Sequence, residues 1–368
     1  MRTAKLFVVV SLFALLVSAA AQPMSLCGYR SPETSLTDAR LSFSYQYFDD
    51  ANTPAIDVST GSVDFSFSRL RDTEAFAFVS WVDGHVGLTE LLPSDWLGEG
   101  AATFRYYVAK AMPLYGFGGL RAITATGQTQ LGLEIRSGFG YGRFFDVTPL
   151  AKAMTIHTNL RRSKAIRNVL SDAVLSEIAQ TIGGMDVTGN ITDAVAAIEA
   201  SIETAVGVQL DARSLLMIEE IATGSELQRF CGFTAQVGMG YELLDPYGGT
   251  PGFVVALSTD MAYAPDPSGQ LEGHLSFSGP FDLANENTLT GSFSYEAVIS
   301  RSSAVEAMYA LHRIKSAGLA PILTHSVTCD LLFGFVGVDV LLGVAAARTT
   351  GDLGWSIGLS VSAALDLL

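Results

Sequence analysis

The stretch Phe233-Thr234-Ala235-Gln236-Val237-Gly238-Met239-Gly240-Tyr241-Glu242 decides the fold. Phe233, Ala235, Val237, Met239 and Tyr241 form an apolar set, and Thr234, Gln236, Gly238, Gly240 and Glu242 form a small or polar set between them. Successive side chains of an extended strand point to opposite faces, so a period of two gives one greasy face and one wet one. The same alternation recurs through the chain. Leu41, Phe43, Tyr45 and Tyr47 alternate with Ser42, Ser44 and Gln46, and Val63, Phe65 and Phe67 with Asp64, Ser66 and Ser68. Leu289, Phe293, Tyr295 and Ala297 repeat it, as do Val336 to Leu342 and Trp355 to Ala363.

Two kinds of protein use such strands: a soluble sandwich, with the apolar face inward, and a membrane barrel, with it outward. Composition favours the barrel. Charged residues make up only 16% of the chain and mean hydropathy is +0.33, too little charge to coat an ordinary soluble exterior. Past the amino-terminal segment, no apolar run reaches the roughly eighteen residues of a membrane helix; Phe333 to Ala347 is interrupted by Asp339 and glycines. A barrel needs lipid-facing residues only at every second position, which reconciles high apolarity with the absence of long apolar runs.

About fourteen such segments are readable, within a range of about twelve to sixteen. Six fall near 39–50, 60–70, 73–83, 101–111, 114–126 and 129–145. Eight follow near 231–244, 251–264, 269–281, 286–299, 303–314, 321–332, 335–347 and 354–367. The expected fold is therefore all-β dominated: a transmembrane antiparallel β-barrel with a short α-helical insert. Long connections at Ala51–Ser59 and Gly84–Gly100 and tight ones at Arg71–Asp72, Ala111–Pro113 and Arg301–Ser302 place the amino terminus in the periplasm, since barrels carry long loops outside and short turns inside.

Arg2 and Lys5, the apolar run Leu6 to Val17, and Ala19-Ala20-Ala21 read as a signal peptide cleaved after Ala21. Met24, Ser25 and Leu26 before Cys27 make a poor lipobox. Residues 1–21 are thus assigned to the leader, 22–38 to a periplasmic tail, 39–147 to strands one to six, 148–230 to the insert and 231–368 to strands seven to fourteen. In the insert the period becomes helical: Ile166, Val169, Leu170, Ala173, Val174 and Ile178, ending at Gly183-Gly184; then Ala194, Val195, Ile198, Ile202 and Ala205; then Leu215, Leu216, Ile218 and Ile221. This predicts three helices, the third capped by Asp211 and Gly224. By the orientation above they lie in the periplasm; a plug inside the barrel is the other reading.

The polar faces carry Asp64, Arg105, Glu134, Arg136, Glu242, Asp260, Glu272, His274, Glu296, Glu306, Asp330 and Asp339. In a barrel these line the interior, because a basic residue at the lipid mid-plane costs about 2–4 kcal/mol. An acid-rich lumen favours small cations or uncharged polar solutes over anions. The same charges could instead fill a closed interior. The net charge of −15 argues against a nucleic-acid partner; membrane lipid is the expected one, with periplasmic envelope proteins able to use residues 150–228. No GxSxG elbow, HExxH pair or calcium-loop spacing occurs, so neither catalysis nor a metal or other cofactor is expected.

The run Gly138-Phe139-Gly140-Tyr141-Gly142-Arg143-Phe144-Phe145-Asp146-Val147-Thr148-Pro149-Leu150 alternates glycine with aromatics before entering the insert. It reads as a strand bend or as clearance for a plug or solute. This run resembles segments of poorly characterised bacterial outer-membrane barrels, and the alternating strands with aromatic rims look porin-like in general. The resemblance implies the outer membrane of a diderm bacterium and a barrel fold, and names no solute. The chain departs from the pattern at its end, where Leu367-Leu368 replaces the terminal Phe or Trp of many such barrels. Cys27 and Cys231 both fall on the periplasmic side, as a disulfide or as two thiols, and Cys329 sits on an apolar face. Two further readings stay open: a non-conducting envelope scaffold that docks partners through the insert, and a soluble secreted β-sandwich.

Overall fold

The computed structural model describes residues 25–366 apart from 32, 49–57, 110–111, 189, 225–227, 250–251, 301 and 336–337; the leader lies outside the described residues. Six strands come first: β1 (Thr34–Phe48), β2 (Val58–Asp72), β3 (Phe76–Thr89), β4 (Leu92–Ala109), β5 (Met112–Ala125) and β6 (Gly132–Asp146). Helices α1 (Thr148–Arg162), α2 (Asp172–Thr188), α3 (Ile191–Val206) and α4 (Ala212–Thr223) follow. Eight strands complete the sheet: β7 (Phe230–Leu244), β8 (Phe253–Asp266), β9 (Gly269–Gly279), β10 (Asn287–Ser300), β11 (Ser303–Lys315), β12 (Ile322–Phe335), β13 (Val338–Thr349) and β14 (Ser356–Asp366).

Every strand pairs antiparallel with its sequence neighbours, and β14 returns to β1 through Arg40↔Asp366, Leu41↔Leu365, Ser42↔Ala364 and Phe43↔Ala363. The chain is a transmembrane antiparallel β-barrel of fourteen strands. A single sheet that returns to its first strand is not a pair of stacked sheets, so the β-sandwich reading is corrected. The apolar face points outward: Phe43, Phe65, Phe293 and Trp355 are 52%, 39%, 36% and 47% exposed. Among the described strand residues, outward charges occur only at Arg69, Arg71, Arg313, Lys315 and Arg348, each close to a strand end. There the headgroup region can receive them, which leaves an uncharged belt between.

Three expectations change. The amino-terminal tail was expected to reach residue 38, but β1 begins at Thr34 and pairs at once with Asp72. The loop expected at Gly84–Gly100 is a tight hairpin, with Glu90 and Leu91 at φ 53° and 64° joining β3 to β4. Asp95 and Glu99 look like loop residues, yet in register they share the face of Gly87 and Asp83. Four helices replace the expected three. The stripe from Ile166 to Ile178 is split because the chain turns after α1 at Lys164, φ 63°. Ile166 and Leu170 are buried from a loop instead, and α2 continues through Gly183-Gly184.

The caps explain the helix ends. Asp146 Oδ1 accepts from Thr148 N at the start of α1, where Pro149 costs no hydrogen bond. Asn190 caps α3, which ends at Gly207 in the left-handed conformation. Asp211 Oδ1 accepts from Ser214 N, 2.9 Å, to start α4, and Gly224 sits at its C-cap with extended backbone. Ile156, Leu160, Ile178, Ile198, Ile202 and Ile218 are fully buried between the helices, each contributing about 1.5–3 kcal/mol of burial. The described residues outside α1 to α4 that join this core are Leu26, Cys27, Tyr29, Phe145, Ile166, Leu170, Leu210, Cys231 and Ala264 together with Ala165 and Val147. Its contacts with the sheet thus fall at strand ends, and the helices gather at that end, the insert end, without filling the barrel.

The barrel interior as candidate functional site

The register puts all twelve sequence-identified residues on one face, opposite the exposed aromatics. Cross-strand rows display it directly. Thr234, Asp260, His274 and Ser292 stand opposite one another on β7 to β10. Glu296, Glu306, Asp330 and Gly343 do so on β10 to β13. Arg121, Glu134 and Glu242 do so on β5 to β7. Asp64 pairs with His85, Arg105 with Ala77, and Arg136 with Gly240. Asp339 keeps register with Gly334 and Ala364; its side chain is outside the described residues.

At the end away from the helices, charges are matched. Arg136 binds Glu134 through two 2.7 Å contacts, a bidentate geometry that fixes both planes. Arg121 Nε reaches Glu99 Oε1 at 2.6 Å. His85 Nδ1 lies 2.6 Å from Asp64 Oδ1. Arg121 and Glu134 also border a cleft of about 250 Å³, lined further by Glu242 and Tyr247. Sequence reading missed Arg121, Glu99 and His85, although all three fall on the alternation once β4 is extended.

The wall from β8 to β12 is acidic. Asp260 Oδ1 lies 2.6 Å from His274 Nδ1, and its Oδ2 accepts from Thr234 Oγ1 at 3.3 Å. Glu272, accessible to solvent, feels the charges of Glu296 and Glu306, countered by Arg229 and Arg40. Arg229, fully buried, donates to the carbonyls of Pro267 and Ser268 and to Glu296 Oε1 at 3.3 Å. Like charges directly opposite on neighbouring strands repel, so the row Glu296–Glu306–Asp330 is kept at a cost to the fold. Arg40, Arg121 and Arg229 add to the two interior arginines expected, Arg105 and Arg136. Arg229 enters from outside any strand, so no alternation could reveal it.

The opposite wall near the insert end is filled. Ala77, Tyr107 and Tyr115 are buried together against Phe117. Arg105 is buried over the Tyr115 ring, 5.0 Å from its centroid. Gly140 leaves the space that this ring takes, since a Cβ there would overlap it. Gly140 thus gives clearance to a neighbouring side chain, while Gly138 lets the β7 backbone at Val237 and Gly238 come close. Gly142, at φ +117°, has a second constraint: a Cβ would overlap the Phe233 carbonyl. Beyond it Arg143 turns inward to Asp72, Nη2 to Oδ1 3.0 Å, an ion pair out of hydrogen-bond alignment. Cys27 and Cys231 form a disulfide with Cα atoms 5.1 Å apart, within the usual span. Cys329 is free and exposed.

No family model and no curated protein sequence matches the chain. Solved structures similar to it include a mutant of the Rh. blastica porin, with TM-score 0.31 and 8% identity over 91% of this chain and 100% of that one. The CymD monoaromatic hydrocarbon channel aligns at 0.30 and 10% over 93% and 90%, and a bacterial polysaccharide outer membrane secretin at 0.28 and 8% over 90% and 99%. Values this low leave the fold resting on its own strand pairing.

Proposed function

We propose that this protein is an outer-membrane channel of a diderm bacterium, exported with a cleaved leader, that passes small cations or uncharged polar solutes along the acidic wall of its lumen. The insert end faces the periplasm. The observation that carries this reading is the row Glu296–Glu306–Asp330, with solvent-accessible Glu272 one step away. A negative potential in a narrow aqueous passage concentrates cations and repels anions. The short connections at the insert end, such as Pro267-Ser268, agree with periplasmic turns.

Refolded protein in a planar bilayer should give discrete conductance steps with cation preference. Glu272→Gln/Glu296→Gln should lower the potassium-to-chloride permeability ratio by roughly twofold or more. Absence of steps rejects the channel; an unchanged ratio rejects the acidic wall as what selects the ion.

A second reading, an envelope scaffold that docks periplasmic proteins, is favoured by Val208 and Leu216, which expose apolar surface on the insert. Excision of residues 152–228 with conductance intact assigns docking to the helices. Loss of conductance in a folded barrel ties them to permeation.

A further inference from the structure

At the insert end β1 touches β6, although β2 to β5 lie between them around the wall. Asp146 N donates to Thr34 Oγ1 at 3.0 Å. Asp72, directly opposite Thr34, joins the ion pair with Arg143 and accepts from Tyr107 Oη at 2.9 Å. The Arg143 guanidinium lies over the Tyr107 ring, 5.1 Å from its centroid. The segment ahead of β1 continues the crossing. Arg30 lies over Phe145 at 4.3 Å, Cys27 is bonded to Cys231 of β7, and Leu26 is buried in the helical core.

We propose that this crossing divides the lumen in two, seals the side bounded by β1 to β6, and confines permeation to the side bounded by β7 to β14. The inference rests on the channel reading and deepens it. The sealed side holds Ala77, Tyr107 and Tyr115 without solvent, and with them the cations Arg105 and Arg143. Were that side open, both arginines would join the lining and offset the acids. Thr34, Asp72, Arg143 and the Cys27–Cys231 bond therefore determine charge selectivity without touching the solute, as positioning residues.

Two readouts test this. In a Cys329→Ser chain, the reporter Ala77→Cys should react slowly with a small charged maleimide added to the folded protein. Adding Thr34→Ala/Asp72→Ala, which breaks the crossing and keeps both arginines, should speed labelling by roughly tenfold or more, because local opening then exposes the site. The same pair without the reporter should raise unitary conductance and lower the potassium-to-chloride ratio by roughly twofold. If that pair does not fold, judged by heat-modifiable migration, Cys27→Ser/Cys231→Ser releases the segment from its other anchor. Equal labelling of closed and released chains overturns the division whatever the conductance. An unchanged ratio in a folded, released chain overturns its role in selectivity. A native chain that conducts nothing rejects the channel alone, and the labelling contrast still reports the division.

Discussion

Single residues carry two kinds of information here, and only one is local. Asp211 is legible because a cap lies within three residues of its partner. His157 is not: its Nε2 is buried without a hydrogen bond, a fact that depends on the other helices. Burial first, then Arg161, holds its pKa below the ordinary histidine value. The fold therefore favours neutral imidazole. That stability is whole above about pH 6.5 and is lost as pH falls through this value toward the lower folded one. Helical signal in the insert should melt at lower temperature at pH 5 than at pH 7.5, and His157→Leu should flatten this dependence. An equal slope in the variant, followed by far-UV circular dichroism, would discount His157. Arg143 and Arg229 are the two misses at the site that alternation could not have found. One is turned by the backbone at Gly142, and the other reaches Glu296 from the loop ahead of β7, so no fixed period marks either.

At the scale of elements, the β3–β4 hairpin shows what alternation leaves out. Its central residues Glu90 and Leu91 both have positive φ, which a two-residue turn needs to match strand twist. Side-chain crowding makes that conformation cost roughly 1 kcal/mol for a residue with a Cβ. Leu91→Gly should raise the unfolding free energy by about 0.5–1 kcal/mol, read from urea titration in detergent; a lower midpoint would count against the turn. Turn chemistry gave no sign of this hairpin, because neither residue is Gly, Asn or Asp. The strand cores were readable because lipid on one side and water on the other impose opposite chemistry on successive residues. The ends were not. From Leu92 to Gly100, β4 loses the alternation, since Pro93, Ser94, Asp95, Gly98, Glu99 and Gly100 surround Trp96 and Leu97, and such a strand looks like loop. The first helix was hidden similarly, since Thr155, His157, Thr158 and Asn159 interrupt its stripe.

For the whole molecule, the expected behaviour follows from backbone closure. Hydrogen bonds that run around a complete sheet resist detergent until heated. Unboiled protein should migrate faster on a detergent gel than boiled protein, and it should fractionate with membranes. Co-migration of the two samples would contradict a closed sheet. That the twelve residues named on the alternation share one face of the sheet was legible, since register follows the period of two. How that interior is divided was not. The division comes from β1 meeting β6, from the packing of Tyr107 and Tyr115, and from Arg143 reaching Asp72, all of them contacts between distant stretches of chain.

The Cys27–Cys231 bond, spanning 204 positions, has a consequence for biogenesis. Polypeptides are made amino end first, so Cys27 waits alone until Cys231 appears, and Cys329 follows only later. The first thiol it can meet is thus its native partner. The order of emergence guards against mispairing, and an oxidant acting during translocation would need no later reshuffling to reach the correct bond.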